Sequence, residues 1–171
     1  MFGIPLLAAF ASTAAVSQAP CPAVPAEALM ALPYDAFDTG DGPAAWRSLL
    51  ERGCVDVAVA TLSAYRDANR PRMTRDQSGE LSFHIGQTLA FSGRDAESVP
   101  HFEAAAPAGS TAEWAAYVDA TAGFARKDRA RVERALTAYA KIAPGSMRLA
   151  VIQGFLRCFD KPYKEAVHCG M

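Results

Sequence analysis

Apolar residues recur along most of this chain at intervals of three and four, the signature of helices with one buried face. Val55, Ala58, Val59, Leu62 and Tyr65 form one such stripe. Trp114, Tyr117, Val118, Thr121 and Phe124 form another, and Val132, Ala135, Leu136, Tyr139 and Ile142 a third. The segment after Thr74 carries two stripes, Leu81, Ile85, Leu89 and Phe83, Phe91, as suits a helix buried on two sides. Punctuation agrees with this reading. Pro43 and Gly53 bracket a first helix over 43–52, and a second runs to Asn69. Thr74 with Gln77, and Ser110 with Glu113, have capping-box spacing for a third helix ending near Ser92 and a fifth carrying Trp114. Pro100 predicts that the fourth helix starts close to Ser98, because proline is tolerated only in a first turn. After Gly145 a last helix with Met147, Val151, Phe155 and Leu156 reaches about Phe159. No period-two strand pattern is present. Pro20, Pro22 and Pro25 make a linker, Glu27 to Leu32 supports one helical turn, and Tyr34 to Pro43 has loop composition. The tail from Asp160 reads as irregular.

A small residue followed four positions later by a large apolar one occurs three times: Ala58 and Leu62, Ser98 and Phe102, Ala135 and Tyr139. Pro71, Pro107 and Pro144 close the three copies. The middle copy, LSFHIGQTLAFSGRDAESVPHFEAAAP from Leu81 to Pro107, has Ile85-Gly86 within its first helix and Gly93 in its turn. In these residues the chain resembles the tetratricopeptide (TPR) repeat family over residues 43 to 144. The first copy keeps Gly53. The third lacks the turn glycine, and its turn, Arg126-Lys127-Asp128, reads as about two residues longer. The resemblance implies an all-α stack of three helical hairpins, a TPR-like solenoid with a C-terminal capping helix. It also implies that first helices line a concave face, with Phe83, Gln87, Ala90 and Phe91 placed to receive an extended or helical peptide. His84 lies beside them.

Composition narrows the partners. Apolar residues make up 51% of 171, charged residues 20%, and the net charge is −1. One domain with a sizeable core fits, and a nucleic-acid binder, which carries basic excess, does not. Basic clusters at Arg66, Arg70, Arg72, Arg75 and at Arg126, Lys127, Arg129, Arg131, Arg134 are interrupted by acids and read as a solvated rim.

The N-terminus bears on compartment. An apolar run from Ile4 to Val16 leads into Ala14, Ala15, Ser17 and Ala19, which reads as a signal peptide over 1–18, although no Lys or Arg precedes Arg47. The run is short for a membrane span, so no stable membrane insertion is expected after its removal. The expected organisation is signal 1–18, linker and loop 19–42, helical domain 43–160 and tail 161–171, in a periplasmic or secreted protein. Cys21, Cys54, Cys158 and Cys169 would then form two disulfides in one of three pairings. In an extended stack Cys54 and Cys158 lie far apart, which favours the local pairs Cys21 with Cys54 and Cys158 with Cys169.

Catalytic motifs are missing: no phosphate loop, GxSxG, HExxH or GxGxxG occurs. His168 beside Cys169 matches no zinc spacing, and Cys54 has no base nominated to activate it. No catalytic residue, metal or cofactor is therefore expected. The sequence points to an exported protein-interaction module with a protein or peptide partner. A small helical enzyme centred on His84 and a structural envelope protein are the alternatives.

Overall fold

The computed structural model describes residues 20–23 and 25–171, so the signal segment 1–18 lies outside the described residues. Among the described residues the chain is all-α, with ten helices, 66% helical content and no strand. Two short helices, α1 (Glu27–Met30) and α2 (Tyr34–Asp38), precede α3 (Trp46–Glu51) and α4 (Val55–Asn69). Next come α5 (Arg75–Phe91), α6 (Asp95–Glu103), α7 (Ala112–Ala125) and α8 (Arg129–Ile142). Helices α9 (Met147–Arg157) and α10 (Tyr163–Ala166) complete the chain. From α3 to α9 each helix packs on the next. In addition α7 meets α9, α1 meets α4, and α10 reaches both α9 and α5. These contacts do not by themselves show a TPR repeat.

Three turns share one hydrogen-bond pattern. At the ends of α3, α5 and α7, residues Gly53, Gly93 and Lys127 adopt φ of 78°, 86° and 59°. The following amides, of Cys54, Arg94 and Asp128, donate to carbonyls five residues back, on Leu49, Leu89 and Gly123. This is the Schellman closure, in which a left-handed residue lets the last carbonyls of a helix find donors. The third turn is thus no longer than the others, contrary to the sequence expectation. Lys127 replaces glycine there at some backbone cost. Its Nζ is in turn held by the carbonyls of Phe159 (2.9 Å) and Lys161 (3.1 Å), over the ring of Phe124.

Several local expectations are corrected. The segment 34–43 is not all loop: α2 forms there, and Phe37, 2% exposed, stacks on Tyr65 at 3.6 Å. The preceding turn is held by Tyr65 Oη and Asn69 Nδ2, which donate to the carbonyls of Leu32 and Met30. Composition favoured a loop, but an aromatic contact from another helix outweighs local propensity. Helix α3 starts at Trp46 rather than Pro43. Helix α6 starts at Asp95, so Pro100 lies inside it rather than near its start, where it removes a single amide donor. The cap of α7 is Thr111, whose hydroxyl accepts from the Trp114 amide; Ser110 does not supply it. At α5 the capping box of Thr74 and Gln77 is present in both directions.

The tail is the largest correction. Instead of an irregular end, α10 carries Tyr163 into the core, fully buried among Phe91, Phe102, Phe124 and Phe155. The disulfides Cys21–Cys54 and Cys158–Cys169 are both formed, as the local pairing requires.

Helix α5 is central. Leu81, Ile85 and Leu89 enter a cluster with Phe37, Trp46, Leu62 and Tyr65, whereas Phe83 and Ala90 enter the larger cluster of α6 to α10. The two stripes read from the sequence are these two faces. Gly86 marks the closest approach of α6, because a Cβ there would stand 2.8 Å from two ring carbons of Phe102. That ring is fully buried against Phe83 and Tyr163. Gly86→Ala is therefore expected to lower stability by about 1–3 kcal/mol, despite alanine's better helix propensity. Urea unfolding checks this; an unchanged or raised midpoint would show that α6 yields freely.

Candidate functional site

Asp76, Glu80, His84, Gln87 and Phe91 follow one another at helical spacing along a single face of α5. Two pockets lie along this line, one against each half. His84, Gln87 and Phe91 line one of about 280 Å³ with Trp46, Arg47, Leu50 and Glu51 of α3. Asp76 and Glu80 line another of about 190 Å³ with Thr111, Trp114 and Arg148. Three of the four residues nominated from the sequence thus meet in one pocket. Phe83 stands apart: it is 3% exposed, packed against Phe102, Trp114 and Tyr117, and is a core residue rather than a lining one. Ala90 is likewise fully buried.

His84 sits where four helices meet. Its Nε2 stands 3.3 Å from Oδ1 of Asp38 on α2, within ion-pair distance but off hydrogen-bond alignment. Its ring lies 4.8 Å from that of Trp46 on α3. Its Nδ1 is 3.2 Å from Oε1 of Gln87, and Gln87 Nε2 is 3.4 Å from the hydroxyl of Tyr163 on α10. Arg47 adds a guanidinium 3.4 Å from Asp38, stacked 4.0 Å over Trp46. The His84 side chain is 14% exposed, and burial holds its imidazole below the ordinary value although Asp38 and Gln87 pull upward. Burial also pushes the Tyr163 phenol well above its ordinary value, so its proton stays in place.

Gln87 Oε1 faces His84 Nδ1 and Gln87 Nε2 donates to the Tyr163 hydroxyl, so a neutral His84 in this arrangement carries its proton on Nδ1 and leaves Nε2 beside Asp38 without a hydrogen-bond partner.

Other chemistry-bearing residues are spent elsewhere. Cys54 is disulfide-bonded, and Cys158 and Cys169, weighed with His168 as metal ligands, are bonded to each other. The basic clusters pair locally: Arg66 and Arg70 with Asp67, Arg126 with Glu103, Arg131 with Glu103 and Asp119. Among the described residues no helix is long and apolar enough to cross a membrane.

Sequence reasoning missed Asp38 and Tyr163. Asp38 sat in a segment read as loop, and nothing local ties it to His84. Tyr163 did carry a signal, as a large aromatic inside a loop closed by two cysteines, which points to an anchored end.

No family model, curated protein or solved structure matches this chain.

Proposed function

We propose that this chain is an exported, TPR-like interaction module that binds a segment of another protein along α5, in the periplasm or outside the cell. In this reading α3–α4, α5–α6 and α7–α8 are three stacked hairpins and α9 is the cap. The three equivalent Schellman turns support that division. The observation that carries the function is the stripe from Asp76 to Phe91, with one pocket against its first half and another against its second, each mixing aromatic surface with charged groups. Such a lining suits a peptide, whose side chains are apolar and whose backbone is polar. Two disulfides support an oxidising compartment.

The alternatives draw less support. A small enzyme centred on His84 could use the Asp38 carboxylate 3.3 Å from Nε2, but the His84 side chain is only 14% exposed and Cys54 is spent in a disulfide. A structural envelope protein would present a broad apolar face; among the described residues only Ile142, Met147 and Met171 are large apolar side chains standing exposed.

Glu51 and Asp76 are exposed, one in each pocket. The double charge reversal Glu51→Lys, Asp76→Lys leaves the core untouched. Affinity capture from an envelope fraction of the source cells is expected to yield a partner with the wild-type protein and to lose it with this variant at unchanged circular dichroism. The same partners retained by both proteins would reject the α5 groove.

A further inference from the structure

The two pockets against α5 differ in their linings. The one along its first half, about 190 Å³, sets Asp76, Glu80 and Arg148 around Trp114 and Thr111. The one along its second half, about 280 Å³, has Trp46, Leu50 and Phe91 as apolar walls and Glu51 as its exposed acid. Each lining includes one guanidinium, and each guanidinium is already paired. Arg148 stands 3.5 Å from Glu113 and lies over the rings of Trp114 and Tyr117. Arg47 stands 3.4 Å from Asp38. The carboxylates of Glu51, Asp76 and Glu80 have no ion-pair partner among the described residues. Glu80 has only the hydroxyl of Tyr34, which donates to it at 2.7 Å. Uncompensated acid is thus concentrated along α5, in a chain whose net charge is only −1. Trp46, 4% exposed, adds an indole N–H without a hydrogen-bond partner. Folded chains seldom leave such a donor unserved, and a main-chain carbonyl is an acceptor of the right kind.

We propose that the segment bound along α5 is basic: a Lys or Arg side chain enters the first pocket beside Asp76 and Glu80, and a large apolar side chain fills the second. The inference rests on the proposed peptide groove and assigns its occupant. The stem of a lysine or arginine is apolar and lies along Trp114, while its charged head reaches the two carboxylates. Arg148 does not oppose this, because Glu113 offsets its charge. An acidic segment does not fit, since it would bring like charges together with both guanidiniums already spent. Spacing follows from the helix. The midpoints of the two lining sets lie about nine residues apart on α5, or about 14 Å at 1.5 Å per residue. An extended chain covers that distance in about four or five residues, which sets the apolar residue that far from the cation.

A random peptide library displayed on phage and selected on the disulfide-bonded protein tests it. Enriched peptides are expected to carry Lys or Arg at one position and a large apolar residue about four or five positions away. Their affinity, read by fluorescence anisotropy, should weaken with added salt. It should fall about tenfold in the Asp76→Asn, Glu80→Gln variant, the scale of two part-exposed ion pairs. Both substitutions keep side-chain shape, and glutamine still accepts from Tyr34, so circular dichroism should not change. The Glu133→Gln, Asp160→Asn variant removes the same charge from residues that line neither pocket, and affinity should stay within about twofold. Enriched peptides without Lys or Arg, or without the spaced apolar residue, overturn the inference. If Glu51→Lys, Asp76→Lys abolishes their binding, the groove itself stands. Equal losses in the two neutralised variants also overturn it, since attraction to net charge would then suffice. A library that yields no peptide rejects the groove and its occupant together.

Discussion

Tyr163→Ala is expected to cost about 3–5 kcal/mol, the range for removing a large buried aromatic, and to lower the melting temperature by about 10 °C. Few substitutions here should do more. The ring is the one large side chain that the C-terminal segment sends into the core, and it touches aromatics from α5, α6, α7 and α9 at centroid distances of 5.2 to 6.3 Å. Its loss leaves a cavity lined by Phe91, Phe102, Phe124 and Phe155, all stiff side chains on packed helices that cannot collapse to fill it. It also strips Gln87 of a partner. The rest of α10 offers little replacement, since Lys164 and Glu165 face solvent. Thermal unfolding followed by circular dichroism measures the loss, with Tyr163→Phe as the control that keeps the ring. A loss under about 1 kcal/mol would mean that the tail is an appendage and that the core of α6 to α9 closes without it.

Removing the Cys21–Cys54 bridge should rank close behind. The bond spans a sequence separation of 33 and encloses the linker, α1, α2 and α3. Restricting an unfolded loop of that size is worth about 3–4 kcal/mol, against about 3 for the shorter Cys158–Cys169 loop, with a separation of 11. Cys54 is 3% exposed beside Leu49 and Ala58, so alanine is the better replacement, since serine would bury a hydroxyl. The Cys21→Ala, Cys54→Ala variant is expected to lose stability by that amount in urea unfolding. Exchange at the amides of Leu29, Phe37 and Leu49 should rise before exchange in α7 or α8, because the damage is local. Uniform loss across the molecule, or no loss, would show that α1 and α2 hold their place without the bridge.

The helical content of this chain and much of its punctuation could be read from single positions. The Thr74 and Gln77 box, the paired stripes on α5 and the turn at Gly93 are set within a few residues of where they act, by backbone geometry and helical period. The TPR resemblance named Phe83, Gln87, Ala90 and Phe91, with His84 beside them; helical spacing puts His84, Gln87 and Phe91 on one face of α5, whereas Phe83 and Ala90 turn into the core. The cysteine pairing followed from chain distance, which limits what a helical array can bring together.

What local reasoning could not reach depends on contacts between distant segments. Whether 34–38 coils or turns into a helix is decided by Tyr65, which offers Phe37 a ring to stack on. Lys127 takes a glycine's backbone conformation, and two carbonyls near the chain end hold its ammonium. The tail orders because four aromatics on four helices leave a space that Tyr163 fills. His84 acquires its setting from Asp38 and Tyr163, contributed by helices on either side of it in sequence. In each case the free energy comes from burying groups that are far apart along the chain, a term that periodicity and propensity do not contain. Sequence alone therefore determined the long helices and which of their residues share a face, and the tertiary structure decided the short helices α2 and α10 and what those faces meet.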